Sequence, residues 1–342
     1  MQQLYNGLDN LNNIIESNGL KSILLVCGQR VLETRFVADV LKSLKAKYKA
    51  FTNFTPNPKL EEARLCLEYF ANEKFDAIIA IGGGSSMDVA KYVKLQTALP
   101  LIAVPTTAGS GSEATKYAVI YDKGEKQSIT SDDIIPEFVV FESKFLESLP
   151  QYQKKCTILD ALCHSIESYW SVNSTEESQK IARQAIELIL ISYKDYVNND
   201  GGVFDDIMLA ANLAGKAINI TQTTAGHAFS YKITSTYGIP HGHAVAVCLS
   251  KVWAFLNDNI CLCSDPRGEV YLSKTLCELE NIISLEKFND VLNYLGIRAP
   301  QISEQAQIDL LVKSVNLQRL KNFPIKLSDK DVEEIYRNIG CR

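Results

Sequence analysis

Between Ser22 and Glu142, short apolar runs recur along the chain, and helix-patterned stretches fill the gaps between them. SILLVCG (22–28), YKAFTNF (48–54), DAIIAIGGG (76–84), LPLIAVPTT (99–107) and FVVFE (138–142) are the strand candidates. VADVLKSLKAKY (37–48), LEEARLCLEYFANE (60–73) and a stretch from about Ser86 carry apolar residues at helical spacing. Strands that alternate with helices in this way are joined by crossovers, so the pattern predicts a parallel, doubly wound, Rossmann-like sheet. Ahead of it, MQQLYNGLDNLNNIIESNGL lacks the basic start and continuous apolar centre of a leader peptide. It predicts an amphipathic helix with Leu4, Leu8, Leu11 and Ile15 on one side.

From about residue 148 the pattern changes. TILDALCHSIESYWSV (157–172), ESQKIARQAIELILISYKDYV (177–197) and DIMLAANLAGKAINIT (206–221) follow one another without strand signals. EKFNDVLNYLGI (286–297) and DKDVEEIYRNI (329–339) continue in the same manner, with no repeat of fixed period and no low-complexity linker. The expectation is an α/β domain over residues 1–147 and an all-helical domain over 148–342, with a cleft between them as the natural site.

Composition narrows the function classes. A chain of 342 residues with 46% apolar residues is ordinary globular material, too long for one typical core. A net charge of −5 argues against an electrostatic nucleic-acid binder. No run of about 20 apolar residues is present, so nothing is expected to span a membrane. Nine cysteines are scattered without a CxxC pair, mostly within apolar runs, which predicts a reduced, cytoplasmic chain.

Two loops stand at predicted strand ends. In DAIIAIGGGSSMDVAK (76–91), Gly82, Gly83, Gly84 and Ser85 lie between an apolar strand and a helix. Bare backbone there admits a close ligand, and the N–H groups of a helix start favour phosphate oxygens. The spacing is neither GxGxxG nor GxxxxGK[ST], and a plain strand–helix turn is the competing reading. A second loop, LIAVPTTAGSGSEAT (101–115), adds Thr106, Thr107, Ser110 and Ser112 to small residues. Two such loops at strand ends favour a bound nucleotide or dinucleotide.

The chain has four histidines, and three of them sit in TTAGHAFSYKITSTYGIPHGHAV (223–245). The fourth, His164, follows Asp160 by four residues in a helical pattern, which sets both on one face. A simple Asp–His hydrogen bond would explain that pair alone. Gly238 and Pro240 break the helix that holds His227 and let His241 turn back toward it. One carboxylate with two or three imidazoles makes a mixed nitrogen–oxygen site for Fe²⁺ or Zn²⁺.

The elements GGGSSMDVAK, PTTAGSGSE, DALCHSIES and GHAFSY…GIPHGHAVA, in this order, resemble the iron-containing (group III) alcohol dehydrogenase family over nearly the whole chain. The resemblance implies a dehydroquinate synthase-like architecture, with an NAD(P)-binding first domain and a metal- and substrate-binding second one. It implies Asp160, His164, His227 and His241 as metal ligands, with His243 outside that set. Gly83, Gly84, Ser85, Asp88, Thr106, Thr107 and Ser110 become cofactor contacts, joined by Lys126 after the turn YDKGEK and by Tyr117. A solvated turn residue is the other reading of Lys126.

Two departures bear on the chemistry. Many members carry an aspartate at the end of the first strand, where this chain has Gly28 in LLVCGQR. Its absence removes a repulsion, and Arg30 nearby could help hold a 2′-phosphate, so NADPH is expected to be accepted as well as NADH. Several members also have a histidine four residues after the third ligand, where this chain has Tyr231. Water, Tyr231 or His243 is then the candidate proton donor, or Tyr231 is a core tyrosine.

The implied reaction is reduction of a small aldehyde by NAD(P)H at Fe²⁺, with Zn²⁺ the alternative. Within the family the chain looks most like the phosphonoacetaldehyde reductase branch, and Lys232 or Lys216 could supply charge for a phosphonate. The rivals are a non-redox, NAD- and metal-dependent cyclase or lyase of dehydroquinate synthase type, and a relative that binds nucleotide without chemistry. GGGSSMD lacks the second glycine expected of the former, and retention of all four metal positions speaks against the latter. The expected partners are a small aldehyde or alcohol and, as an open option, a second copy in a homodimer, without nucleic acid or membrane.

Overall fold

Continuous apolar strands need cover on both faces, and the first part of the chain provides it. The computed structural model describes residues 2–71, 73–315 and 320–340. The chain divides into two units, Met1–Leu149 and Pro150–Arg342. In the first, β1 (Gln3–Asn6), β2 (Ser22–Cys27), β3 (Lys47–Phe51), β4 (Ala77–Gly82), β5 (Leu101–Pro105) and β8 (Phe138–Phe141) form one sheet, ordered β1-β8-β5-β4-β2-β3. All its pairings are parallel. The helices of this unit are α1 (Asn10–Ser17), α2 (Gln29–Leu32), α3 (Arg35–Lys42), α4 (Leu60–Ala71), α5 (Gly84–Thr97) and α6 (Lys144–Glu147). Ile23, Leu25, Ile79, Ile81, Ile102 and Val104 pack with Leu11, Ile14, Val37 and Leu41 of α1 and α3 in one buried cluster. The other sheet face carries Leu24, Val26, Ile78, Ala80 and Ala103, also buried.

The strand order reverses between β2 and β4, which pair from Ile23↔Ala77 to Cys27↔Ile81. The two strands therefore end side by side, at Cys27 and Gly82. Such a reversal opens a crevice at the carboxyl ends of the strands. A separate antiparallel hairpin, β6 (Tyr117–Asp122) and β7 (Glu125–Thr130), turns at Lys123 and Gly124, with φ of 49° and 84°. Two consecutive positive φ values match the right-handed twist of a tight hairpin.

The amino terminus departs from the expected helix. Gln3–Asn6 is a strand, paired with Phe138–Phe141, and the helix begins only at Asn10 after Gly7 at φ 91°. Leu8, Leu11 and Ile15 are buried as their spacing requires, whereas Leu4 on the strand remains 38% exposed. Edge pairing to a distant strand overrides the helical periodicity here.

The described residues of the second unit form helices, with one isolated bridge between Cys263 and Ile325. They are α7 (Gln151–Trp170), α8 (Glu176–Val197), α9 (Phe204–Thr221), α10 (Ala225–Tyr237), α11 (His241–Asp258), α12 (Glu269–Glu280), α13 (Leu285–Leu295), α14 (Gln305–Lys313) and a last helix, Asp329–Gly340. A capping box of Thr175 and Ser178 starts α8. Helix α7 is buried on nearly all sides and packs against α8, α9 and α11. No described helix is long and apolar enough to cross a membrane. The fold is the α/β unit with a parallel doubly wound sheet, followed by an all-helical unit, that the alternating pattern predicts.

Candidate metal centre and dinucleotide loops

Helix α7 presents Asp160, His164 and Glu167 along one stripe, because steps of four and three residues return to the same face. Gly238, left-handed at φ 63°, ends α10, and Pro240 stands just ahead of α11, whose first residue is His241. This turn returns His241 to the face of α10 that carries His227. Asp160, His227 and His241 bring one ligand atom each within 4.8 Å of one another. Asp160 Oδ1 is 3.7 Å from His227 Nε2 and 4.0 Å from His164 Nε2. The His164 ring lies parallel to that of His227, centroids 4.6 Å apart, so the fourth expected ligand borders the converging three.

Asp160 Oδ1 and His227 Nε2 are both buried and neither has a hydrogen-bond partner. Two orphaned polar atoms that face each other in a protein interior are costly unless something bridges them. One carboxylate with adjacent imidazoles is a donor set for divalent iron or zinc, so the residues present fit the ion that the spacing predicts. Burial opposes the ionised form of Asp160, but His164, His227 and His241 outweigh it and hold the carboxyl well below the usual aspartate range. For His227, burial favours the neutral ring, yet Glu167 and Asp160 outweigh it and raise its pKa.

Two residues of this centre escape a reading of the sequence. Glu167 is fully buried, and its Oε2 is hydrogen-bonded to His227 Nδ1. Its Oε1 accepts from the Thr224 hydroxyl and the Gly226 N–H, both at 2.7 Å, and from the His227 N–H at 3.4 Å. Burial raises its pKa, and the neighbouring His227 and Thr224 reverse the shift to a lowered value. The signal available was its place three residues after His164. Gly242 is the second: a β-carbon there would stand 2.0 Å from the Cys156 carbonyl oxygen and 2.9 Å from Asp160 Cβ. Only a glycine lets α11 lie directly on α7 beside Asp160.

The proposed proton donors sit differently. The Tyr231 ring stacks parallel on His241, centroids 5.6 Å apart. His243 is turned away, two residues along the helix. Its Nδ1 is 2.8 Å from the Tyr152 hydroxyl and its Nε2 2.7 Å from the Arg298 carbonyl. A carbonyl only accepts, so Nε2 carries the proton and Nδ1 receives one from Tyr152.

In the first unit, β4 and β5 deliver the two loops side by side. The Thr106 N–H donates to the Gly82 carbonyl at 3.1 Å. A β-carbon on Gly83 would meet Thr107 Oγ1 at 3.2 Å, and one on Gly84 would meet Ser110 Oγ at 3.7 Å. Gly83 precedes the first turn of α5, and Gly28 precedes α2. Ser85 Oγ accepts from the Asn57 N–H at 3.2 Å. A pocket of about 510 Å³ nearby is lined by Asn57, Lys59, Glu61, Tyr121, Lys123 and Gly124. Tyr117 begins β6, and Lys126 lies exposed on β7 opposite Tyr121.

Asp88 lies on α5, half-buried. Its carboxyl is raised to about 7 by burial and pulled back by Lys91, the Val119 N–H, Lys126 and the Ser112 hydroxyl. Lys91, fully buried, donates to the Thr115 carbonyl at 2.7 Å, the Tyr117 carbonyl at 2.8 Å, Thr115 Oγ1 at 3.1 Å and Ser112 Oγ at 3.3 Å. It ties α5 to the end of the second loop and to the start of β6.

Comparison with known proteins agrees with this architecture. The iron-containing alcohol dehydrogenase profile matches residues 4–143, and the C-terminal profile of the Fe-containing alcohol dehydrogenase family matches residues 155–339. Long-chain-alcohol dehydrogenase 1 of Geobacillus thermodenitrificans is 27% identical over 97% of this chain and 93% of its own length. Phosphonoacetaldehyde reductase of Streptomyces viridochromogenes is 32% identical over 59% of this chain and 58% of its own. The crystal structure of sulfoacetaldehyde reductase from Bifidobacterium kashiwanohense in complex with NAD⁺ matches with a TM-score of 0.87 at 25% identity, covering 99% of this chain and 97% of that one. With both halves of the chain matched, the protein belongs to the iron-containing alcohol dehydrogenase family.

Proposed function

We propose that this chain catalyses the reversible reduction of a small aldehyde to a primary alcohol, using NADPH or NADH and a divalent ion, Fe²⁺ or alternatively Zn²⁺. The observation that carries the reading is the convergence of Asp160, His227 and His241 in a chain of this family. Those three, with His164, would hold the ion. When bound, the ion supplies a Lewis acid toward the carbonyl oxygen and the nicotinamide supplies the hydride.

The chain's own residues do the positioning. Gly83 and Gly84 stand at the start of α5, where the N–H groups of a helix start favour a pyrophosphate. The hydroxyls of Thr106, Thr107 and Ser110, with Ser85, supply further polar contacts along the dinucleotide. Gly28 presents no carboxylate to repel a 2′-phosphate, and exposed Arg30 stands two residues on, which supports acceptance of NADPH. Tyr231, stacked on His241, offers its phenolic proton to the nascent alcohol. His243 has both ring nitrogens engaged, so proton delivery falls to Tyr231 or water.

The substrate class is a small aldehyde with an anionic head, phosphonoacetaldehyde going to 2-hydroxyethylphosphonate being the specific case. Two similarities support it, to a phosphonoacetaldehyde reductase and to a sulfoacetaldehyde reductase. Lys216 on α9 and Lys232 on α10 are the candidate cations for that head. Scattered cysteines without CxxC pairs fit a reduced, cytoplasmic setting.

The test is anaerobic purification, loading with Fe²⁺ or Zn²⁺, and nicotinamide absorbance with a panel of aldehydes that includes phosphonoacetaldehyde and sulfoacetaldehyde. Metal-dependent oxidation of NADPH or NADH, fastest with an anionic aldehyde, is expected. If no aldehyde oxidises either nicotinamide under either metal, the reading is wrong.

A further inference from the structure

A histidine ligates a metal only through a ring nitrogen that carries no proton, and the partner of its other nitrogen decides which one that is. For His227 the partner is Glu167, buried on α7 one stripe-step beyond His164. Burying a carboxylate is costly unless its oxygens are satisfied. The chain satisfies them from one short segment at the start of α10: the Thr224 hydroxyl, the Gly226 N–H and the His227 N–H all converge on Oε1. Thr224 is itself held, accepting from Trp170 Nε1 at 3.1 Å. With Oε1 saturated, Oε2 is left for His227 Nδ1 alone.

We propose that Glu167 is a positioning residue for the divalent ion: it fixes His227 as the Nδ1–H tautomer with Nε2 turned toward Asp160, so that metal affinity depends on a carboxylate that never touches the metal. The inference rests on the metal reading of Asp160, His227 and His241.

The geometry gives Glu167→Gln a specific consequence. The Gly226 N–H can only donate, so the glutamine must direct its carbonyl oxygen there. Its amide nitrogen then faces His227 Nδ1 and demands an acceptor. His227 is driven to the Nε2–H tautomer, which cannot ligate through Nε2. The flipped amide would satisfy His227 but set its NH₂ against the Gly226 N–H in a buried site. Neither orientation serves both partners.

The experiment measures Zn²⁺ affinity of the apo-protein by competition with a chromophoric chelator, alongside its thermal unfolding and the visible spectrum of the Co²⁺-loaded form. E167Q is expected to fold, to bind Zn²⁺ about 10–100-fold more weakly, and to give an altered Co²⁺ spectrum. Thr224→Val keeps the carboxylate and removes one bond that aims it. A several-fold weakening is expected there, with recovery in Thr224→Ser. Wild-type affinity in a folded E167Q overturns the proposal. If E167Q does not fold, the threonine pair decides, and unchanged affinity in T224V overturns it. If the wild-type chain itself binds no Zn²⁺ or Co²⁺, the metal reading has failed, an outcome distinct from failure of the role of Glu167.

Discussion

Gly242→Ala is the smallest change that should disassemble the proposed metal centre. Gly242 adjoins His241 on α11, and its β-carbon position lies 2.0 Å from a backbone oxygen of α7, at Cys156, and 2.9 Å from Asp160 Cβ. Neither contact is the far end of a flexible side chain, so no rotamer change relieves it. Restoring an ordinary 3.4 Å contact needs α11 to retreat from α7 by about 1.4 Å. That retreat carries His241 away from Asp160, and a misplacement of about 1 Å can cost on the order of 100-fold at a reacting site. Overpacking of this kind also costs roughly 1–3 kcal/mol or more in stability. At about 2–4 °C per kcal/mol for a unit of this size, apo-protein melting should fall by roughly 2–12 °C. The assay pairs calorimetric unfolding with Zn²⁺ competition titration, and Gly201→Ala is the control, because a β-carbon there meets nothing within 4 Å. If G242A melts and binds Zn²⁺ like the control, the close approach of α11 to α7 does not assemble the centre.

Lys91→Met should destabilise the first unit by roughly 3–5 kcal/mol, since it removes a buried cation from Asp88 and strips a donor from the Thr115 and Tyr117 carbonyls; calorimetry of the variant at neutral pH checks this. Asp160→Asn should lower apo-protein stability at neutral pH. A carboxyl held below its unfolded value of about 3.9 contributes stability above that pH and loses it as pH falls through the folded value. The difference between D160N and wild type should therefore shrink in acid, and a constant gap from pH 7 to pH 3 would contradict it. Iodoacetamide at pH 8 should label exposed Cys261 and Cys277 on the native chain. It should spare Cys27 and Cys66, whose thiols burial pushes up to about 12, and Cys156, pushed up to about 11. Peptide mapping reads the outcome.

The sequence by itself determined what depends on neighbours along the chain. Continuous apolar runs could be strands only inside a covered sheet, and β2, β4, β5 and β8 are that. The break at Gly238 and Pro240 is local chemistry, a left-handed residue and a proline, and α10 ends and α11 begins where it dictates. Even the different fates of His241 and His243 follow from helix geometry, because two residues on one helix point to different faces. Tertiary structure decided whatever needs a partner far along the chain. Gln3–Asn6 is polar enough to read as helix and becomes strand only because the open edge of β8 accepts it. Glu167 could be seen on the stripe of Asp160 and His164, but its acceptors are satisfied by Thr224 and Gly226, and nothing in DALCHSIES names them. Gly242 looks like any small residue between two histidines until the Cys156 carbonyl is found against it. Periodicity and turn chemistry act over a few residues, whereas burial, ion pairing and close packing are properties of pairs that only the folded chain brings together.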